Sequence, residues 1–313
     1  MDGAFRELRS LLNKERLTQK QYTSIAGMAN HVHRRSPTIY ADQWIPYMAS
    51  FSRHWDLHIF GPFNLREADE HHELLPFSLF AVHLDEATWD AAVARPASWW
   101  GRLGGLRLLR GSLGRQLLEH APDCPFLGHL GYASFSLDEG QARRLAAWIQ
   151  TTALTSLELE RCTLKGESFE SLCASGALDV LSKLVIFCCN GFREEALVAL
   201  AQVPFENLRE LKLSHLSFSG WPEILGQGVF GETLETLSVL HTHIDEQVAN
   251  RVATSSSWPN LKALSFGQST LSIEAARALA DAPRLHADVR AYYSALSKEH
   301  PETLLSQDRG QPE

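Results

Sequence analysis

Apolar residues recur through the middle of the chain in one fixed figure. In LTSLELERCTL, Leu154 to Leu164, they stand at positions 1, 4, 6 and 11, with Cys at position 9. The same figure returns in LGGLRLLRGSL from Leu103, LGHLGYASFSL from Leu127 and LSKLVIFCCNGF from Leu181. LRELKLSHLSF from Leu208, LETLSVLHTHI from Leu234 and LKALSFGQSTL from Leu261 complete seven copies, whose starts lie 24, 27, 27, 27, 26 and 27 residues apart. Positions 1 and 4 are Leu in every copy, and position 6 is Leu108, Tyr132, Leu159, Ile186, Leu213, Val239 and Phe266. A period this constant over seven copies is a repeat and not chance spacing in a leucine-rich chain.

The spacing predicts the elements. Side chains alternate along a strand, so positions 4 and 6 turn to one side, while positions 1 and 11 mark its entry and exit. Between copies the period becomes helical. DEGQARRLAAWIQ puts Leu145, Trp148 and Ile149 on one face, REEALVALAQV does so with Leu197, Leu200 and Ala201, and IEAARALADA with Ala276, Leu279 and Ala280. Each copy thus reads as strand, turn, helix and return. One such unit cannot bury its own apolar face, whereas stacked neighbours can, which predicts an α/β solenoid over residues 99–285.

The flanks differ. Residues 1–98 read as a mainly helical capping region, with ADQWIPYMASFSRHW as one helix, LPFSLFAVHL as a first strand and DEATWDAAVARP as a helix after it. RLHADVRAYYSAL supplies a C-terminal cap over 286–297, and residues 298–313 have the composition of a disordered tail.

The figure resembles the leucine-rich repeat motif L-x-x-L-x-L-x-x-N/C-x-L, which Leu154 to Leu164 meets at every named position. A period near 27 with helical returns is most similar to the ribonuclease-inhibitor and cysteine-containing types. The resemblance implies a horseshoe, with a parallel β-sheet on the concave side and helices on the convex side. PTIYADQW resembles a short segment that precedes repeats in some bacterial proteins, which points to a bacterial setting. The chain departs from the motif at position 9, which reads Gly111, Phe135, Cys162, Cys189, Leu216, Thr242 and Ser269. A continuous polar ladder is therefore not expected, and apolar filling replaces it in places. Gly191 stands where the copy from Leu181 needs an apolar residue, with Phe192 one place late, so a local bulge is expected there.

Composition narrows the partners. The 313 residues are 44% hydrophobic, ample for a core, and carry a formal net charge of −8 with no basic segment. Nucleic acid is a poor match for such a surface. No apolar run is long enough to cross a bilayer and the N-terminus has no signal-peptide core, so no membrane partner is expected and the cytoplasm is the expected compartment. Cys124, Cys162, Cys173, Cys188 and Cys189 suit reduced thiols.

Candidate chemistry is sparse. His31 with His33, the HHE segment from His71 to Glu73, and His241 with His243 are the histidine groupings. The 31/33 pair points apart on a helix, and the 241/243 pair, able to reach one ion, lacks a Cys or carboxylate at metal-site spacing. Cys188 faces the groove while Cys189 is buried; a reactive Cys188 needs a cation beside it to lower its pKa, and Lys183 is nearby in the sequence. The glycine-rich GRLGGLRLLRGSLG has no G-K-[ST] after it, and GQGVFG reads as the C-terminal turn of a helix. The expectation is no catalytic residue, no metal and no cofactor.

Positions 3, 5, 7 and 8 face outward from each strand. They assign Arg107 and Arg110, then Glu158, Glu160 and Arg161, then Lys183, Val185, Phe187 and Cys188 to the groove. Glu210, Lys212 and His215 follow, then Leu240 and His241. Val185, Phe187 and Cys188 make an apolar island between charged rows, the pattern of an interaction anchor with a polar rim. Seven strands span on the order of 30 Å, a width suited to a protein partner more than to a small molecule. The expected function is a non-enzymatic protein-binding module. The alternative is an inhibitor, immunity or GTPase-regulatory protein acting on one enzyme.

Overall fold

The computed structural model describes residues 80–299 apart from Pro96, Arg102, Phe126 and Arg284, together with Ser10, Arg35, Leu304 and Leu305. The helices expected before residue 80, and the histidine groupings at 31–33 and 71–73, lie outside the described residues. What is described is an α/β fold of parallel strands alternating with helices, in two compact units: Met1–Ala133 with Trp148–Thr155, and Ser134–Ala147 with Ser156–Glu313.

In the first unit β1 (Phe80–Leu84), β2 (Leu103–Leu108) and β3 (His129–Ala133) pair in parallel in that order. The strand expected within LPFSLFAVHL is β1, and the expected helix after it is α1 (Glu86–Val93). Asp85 starts α1 with a capping box: its carboxylate accepts from the Thr88 N–H at 3.0 Å, and the Thr88 hydroxyl accepts from the Asp85 N–H at 3.0 Å. Helix α2 (Ala97–Trp100) follows. The first copy then departs from the template. Helix α3 (Gly111–His120) begins at position 9, so Leu113 reaches the core from a helix and not from a strand exit.

In the second unit β5 (Ser156–Glu160), β7 (Lys183–Phe187), β8 (Glu210–Ser214), β9 (Thr236–Leu240) and β11 (Ala263–Ser265) lie side by side in chain order, all parallel. Their register aligns equal template positions. Leu157 pairs with Leu184, Leu184 with Leu211, Leu211 with Leu237 and Leu237 with Leu264. These leucines and their position-6 neighbours are buried, as the alternation requires. Short ladders flank the strands: β4 (Ser136–Leu137) with β6 (Thr163–Leu164), and β10 (His243–Ile244) with β12 (Thr270–Leu271). Leu304–Leu305 forms β13, antiparallel to β12.

The returns are helical: α4 (Glu139–Ile149), α5 (Ser168–Ala174), α6 (Glu194–Ala201), α7 (Trp221–Gly226), α8 (Glu246–Thr254) and α9 (Ile273–Ala280). Leu145, Trp148 and Ile149 of α4 are buried, as are Leu197, Leu200 and Ala201 of α6. In α9 the buried face is Ala275, Ala276 and Leu279, with Ala280 only half-buried. In two copies the residue directly after the figure caps the helix with its side chain: Asp245 accepts from Val248 N–H and Ser272 from Ala275 N–H. Helix α10 (Ala287–Glu299) follows, so the tail expected to be disordered from residue 298 carries the end of a helix and, in β13, a short strand.

Position 8 has a conformation of its own. Ser134, Arg161, Cys188, His215, His241 and Gln268 all have φ between 51° and 59°, left-handed and none of them glycine. That conformation costs about 1 kcal/mol per residue. In all but Gln268 the backbone N–H donates to the next copy: Arg161 donates to Phe187 O at 2.7 Å and His215 to Leu240 O at 2.9 Å. Position 9 then points inward. The ladder there is mixed, as expected. Phe135 and Leu216 are apolar, but Leu216 N–H donates to Thr242 Oγ1 at 3.3 Å and Thr242 N–H to Ser269 Oγ at 3.0 Å. At the expected bulge Gly191 has φ +85°, with Phe192 swung inward against Phe169, ring centroids 5.3 Å apart.

Candidate functional site

The outward side of β5, β7, β8 and β9 gathers most of the sequence-assigned groove residues. Lys183, on β7, lies between two carboxylates: its Nζ is 3.6 Å from Glu158 Oε1 and 3.3 Å from Glu210 Oε1. Lys183 and Glu210 both hold position 3 and pair in register, whereas Glu158, at position 5, reaches Lys183 diagonally across the strand pair. Arg161 stays within 3.8 Å of Glu160. Most of the charge is thus compensated locally.

The apolar island differs from the expectation. Val185 is buried, and so is Leu240. Phe187 is half-buried, because Lys212 places its ammonium 5.4 Å from the Phe187 ring centroid and His241 lies beside it at 5.7 Å. A cation over an aromatic face is attracted by the ring quadrupole, which holds Lys212 across the ring. The anchor is therefore a composite of Phe187, Lys212 and His241, not a bare aromatic. Arg107 and Arg110 belong to the other unit. Arg107 pairs in register between His83 and Gly131. His83 has its pKa lowered, first by burial and then by the Arg107 charge. Arg110 lacks the left-handed turn of the other position-8 residues; it is the extended N-cap of α3, φ −138°.

One grouping was not read from the sequence. Cys188, His215 and His241 end three successive strands at position 8, and one donor atom from each lies within 4.8 Å of the others. Cys188 Sγ is 3.4 Å from His215 Nε2, and the His215 and His241 rings stack at 4.7 Å, 4° from parallel. The backbone of Cys188 is fixed by its N–H, which donates to the buried Ser214 Oγ. His241 is held toward its neutral form, by burial first and then by the His215 charge. The pairing of His241 with His243 does not occur, since His243 is exposed and shares a hydrogen bond with Thr270 Oγ1 at 2.7 Å. Nor does Lys183 serve Cys188, being occupied by the two glutamates. The signal was available: read down position 8 instead of along each copy, the sequence gives Cys, His, His.

The remaining cysteines are buried, and they divide: Cys162 has its pKa lowered, first by its hydrogen bond with Cys189, whereas the other three are raised. Cys124 is pushed up to about 12, and Cys173 is also raised. Cys189 is raised by its hydrogen bond with Cys162 and then by burial. Among the described residues no helix is long and apolar enough to cross a membrane. No protein-family model and no curated protein matches the chain.

Proposed function

We propose that residues 99–285 form a leucine-rich repeat solenoid that works as a non-enzymatic protein-binding module, with the outward side of β5, β7, β8 and β9 as its docking face. The repeat reading rests on strand order. A doubly wound sheet reverses direction at a switch point, whereas β5-β7-β8-β9-β11 runs one way with equal template positions in register.

The observation that carries the binding reading is Phe187 under Lys212 at one end of β7, with the Glu158–Lys183–Glu210 charges at the other end of the same strand. An aromatic with a cation across it suits a partner protein that offers an acidic side chain next to an apolar one: the carboxylate takes Lys212 and the apolar group takes the ring. The ion pairs at the start of β7 supply a polar border on that side of the face.

The test is a photo-crosslinking amino acid placed at Phe187, and in a second protein at exposed Gln202, just past the end of α6, used in native lysate. The expected result is a protein trapped at 187 and not at 202, which once purified binds wild type and loses more than ~10-fold affinity for Lys212→Glu. Equal trapping at both positions, or equal affinity for the variant, overturns the reading.

A further inference from the structure

We propose that Cys188, His215 and His241 form a binding site for a borderline transition-metal cation, Zn²⁺ above all. The cluster shares His241 with the docking anchor, but the metal proposal does not rest on that reading, since it needs no partner protein.

The donor set selects the metal class. One thiolate sulfur and two imidazole nitrogens suit Zn²⁺ and its neighbours, whereas Ca²⁺ and Mg²⁺ require oxygen ligands that this cluster does not offer. Geometry agrees. A tetrahedral zinc with Zn–S about 2.3 Å and Zn–N about 2.0–2.1 Å sets sulfur and nitrogen about 3.5 Å apart. Cys188 Sγ and His215 Nε2 are 3.4 Å apart. The His241 donor lies within 4.8 Å of both and closes the remaining distance by turning its ring out of the parallel stack with His215.

The backbone preorganises the site. The three residues share one template position, one left-handed conformation with φ 54°, 59° and 51°, and adjacent strands about 4.8 Å apart. Their side chains consequently leave the sheet together. No other position across β7, β8 and β9 brings a sulfur and two imidazoles into one row. Half-buried Phe187 and buried Leu240 border the cluster, lowering the local dielectric and strengthening metal–thiolate attraction. Lys212, across the Phe187 ring, opposes a dication, and the thiolate charge offsets it. Three protein ligands leave a fourth position for water, the arrangement of an open site.

The experiment uses the full chain stripped with a chelator, with Co²⁺ as the spectroscopic probe. One equivalent of Co²⁺ is expected to give the visible bands of a tetrahedral centre and a near-ultraviolet thiolate charge-transfer band, both removed by Zn²⁺. The charge-transfer band should vanish in Cys188→Ser, and His215→Ala and His241→Ala should each weaken Co²⁺ binding more than ~10-fold. A second measurement needs no variant: Zn²⁺ should slow alkylation of Cys188 in the wild-type protein by more than ~10-fold. A Co²⁺ spectrum without the charge-transfer band, the same spectrum from Cys188→Ser, or Cys188 alkylation unchanged by Zn²⁺ overturns the proposal.

Discussion

Gly191 crowds Leu164: a Cβ on Gly191 would stand 2.2 Å from the Leu164 carbonyl oxygen. The same glycine has φ +85°, and its neighbour Asn190 binds the adjacent copy through both backbone groups, donating to Cys162 O and accepting from Leu164 N–H, each at 2.8 Å. The extra residue in this copy is absorbed by a turn that only glycine fits. Gly191→Ala should therefore destabilise the protein by about 1–3 kcal/mol from backbone strain alone, with more from the clash. Urea unfolding followed by circular dichroism checks it; a midpoint equal to wild type refutes the close approach.

Thr242 links two copies. Its Oγ1 accepts from Leu216 N–H and donates to Leu240 O at 3.1 Å, all in the buried interior. Thr242→Val keeps the shape and leaves the Leu216 N–H without that acceptor, at a cost of about 1–3 kcal/mol. Thr242→Ser restores the hydroxyl and should recover most of the loss. Equal unfolding midpoints for the Val and Ser variants would show that the ladder contributes nothing here.

Thiol accessibility divides the cysteines. Cys188 alone is half exposed, while Cys124, Cys162, Cys173 and Cys189 are buried. Metal-free native protein treated with a mild excess of alkylating reagent should take up a single adduct, mapped to Cys188 by mass spectrometry, and all five cysteines should react in denaturant. A native adduct on Cys189 would contradict the inward turn of position 9.

Acid should weaken the fold through His241. Its folded pKa is depressed, by burial and then by the neighbouring His215 charge. The unfolded chain, with a histidine pKa near 6.5, takes up this proton first as pH falls. Stability contributed above pH 6.5 is therefore lost as pH drops through the unfolded value toward the folded one. His83, lowered likewise in the other unit, acts in the same direction. In chelator, the urea midpoint should fall between about pH 7.5 and about pH 5.5, and His241→Gln should flatten that slope. An unaltered slope in the variant would locate the pH dependence elsewhere.

The alternation of Leu157 with Leu159, or Leu184 with Ile186, is local information. Side-chain direction follows residue number along a strand, so the sequence by itself determined which residues face the core, where helices such as Glu194–Ala201 return, and that Gly191 marks an irregular turn. What lies across strands was decided only in three dimensions. Register brings Cys188, His215 and His241 together from positions 27 and 26 residues apart. Lys212 and His241 lean over Phe187, a contact that no periodicity encodes. Arg110 shows the converse: it holds the same template position, yet a helix beginning at Gly111 removes the turn that would have aimed it like the others. A repeat fixes the direction of each side chain along its own strand, whereas the distance between side chains of different copies depends on pairing and on the left-handed turn at the strand end.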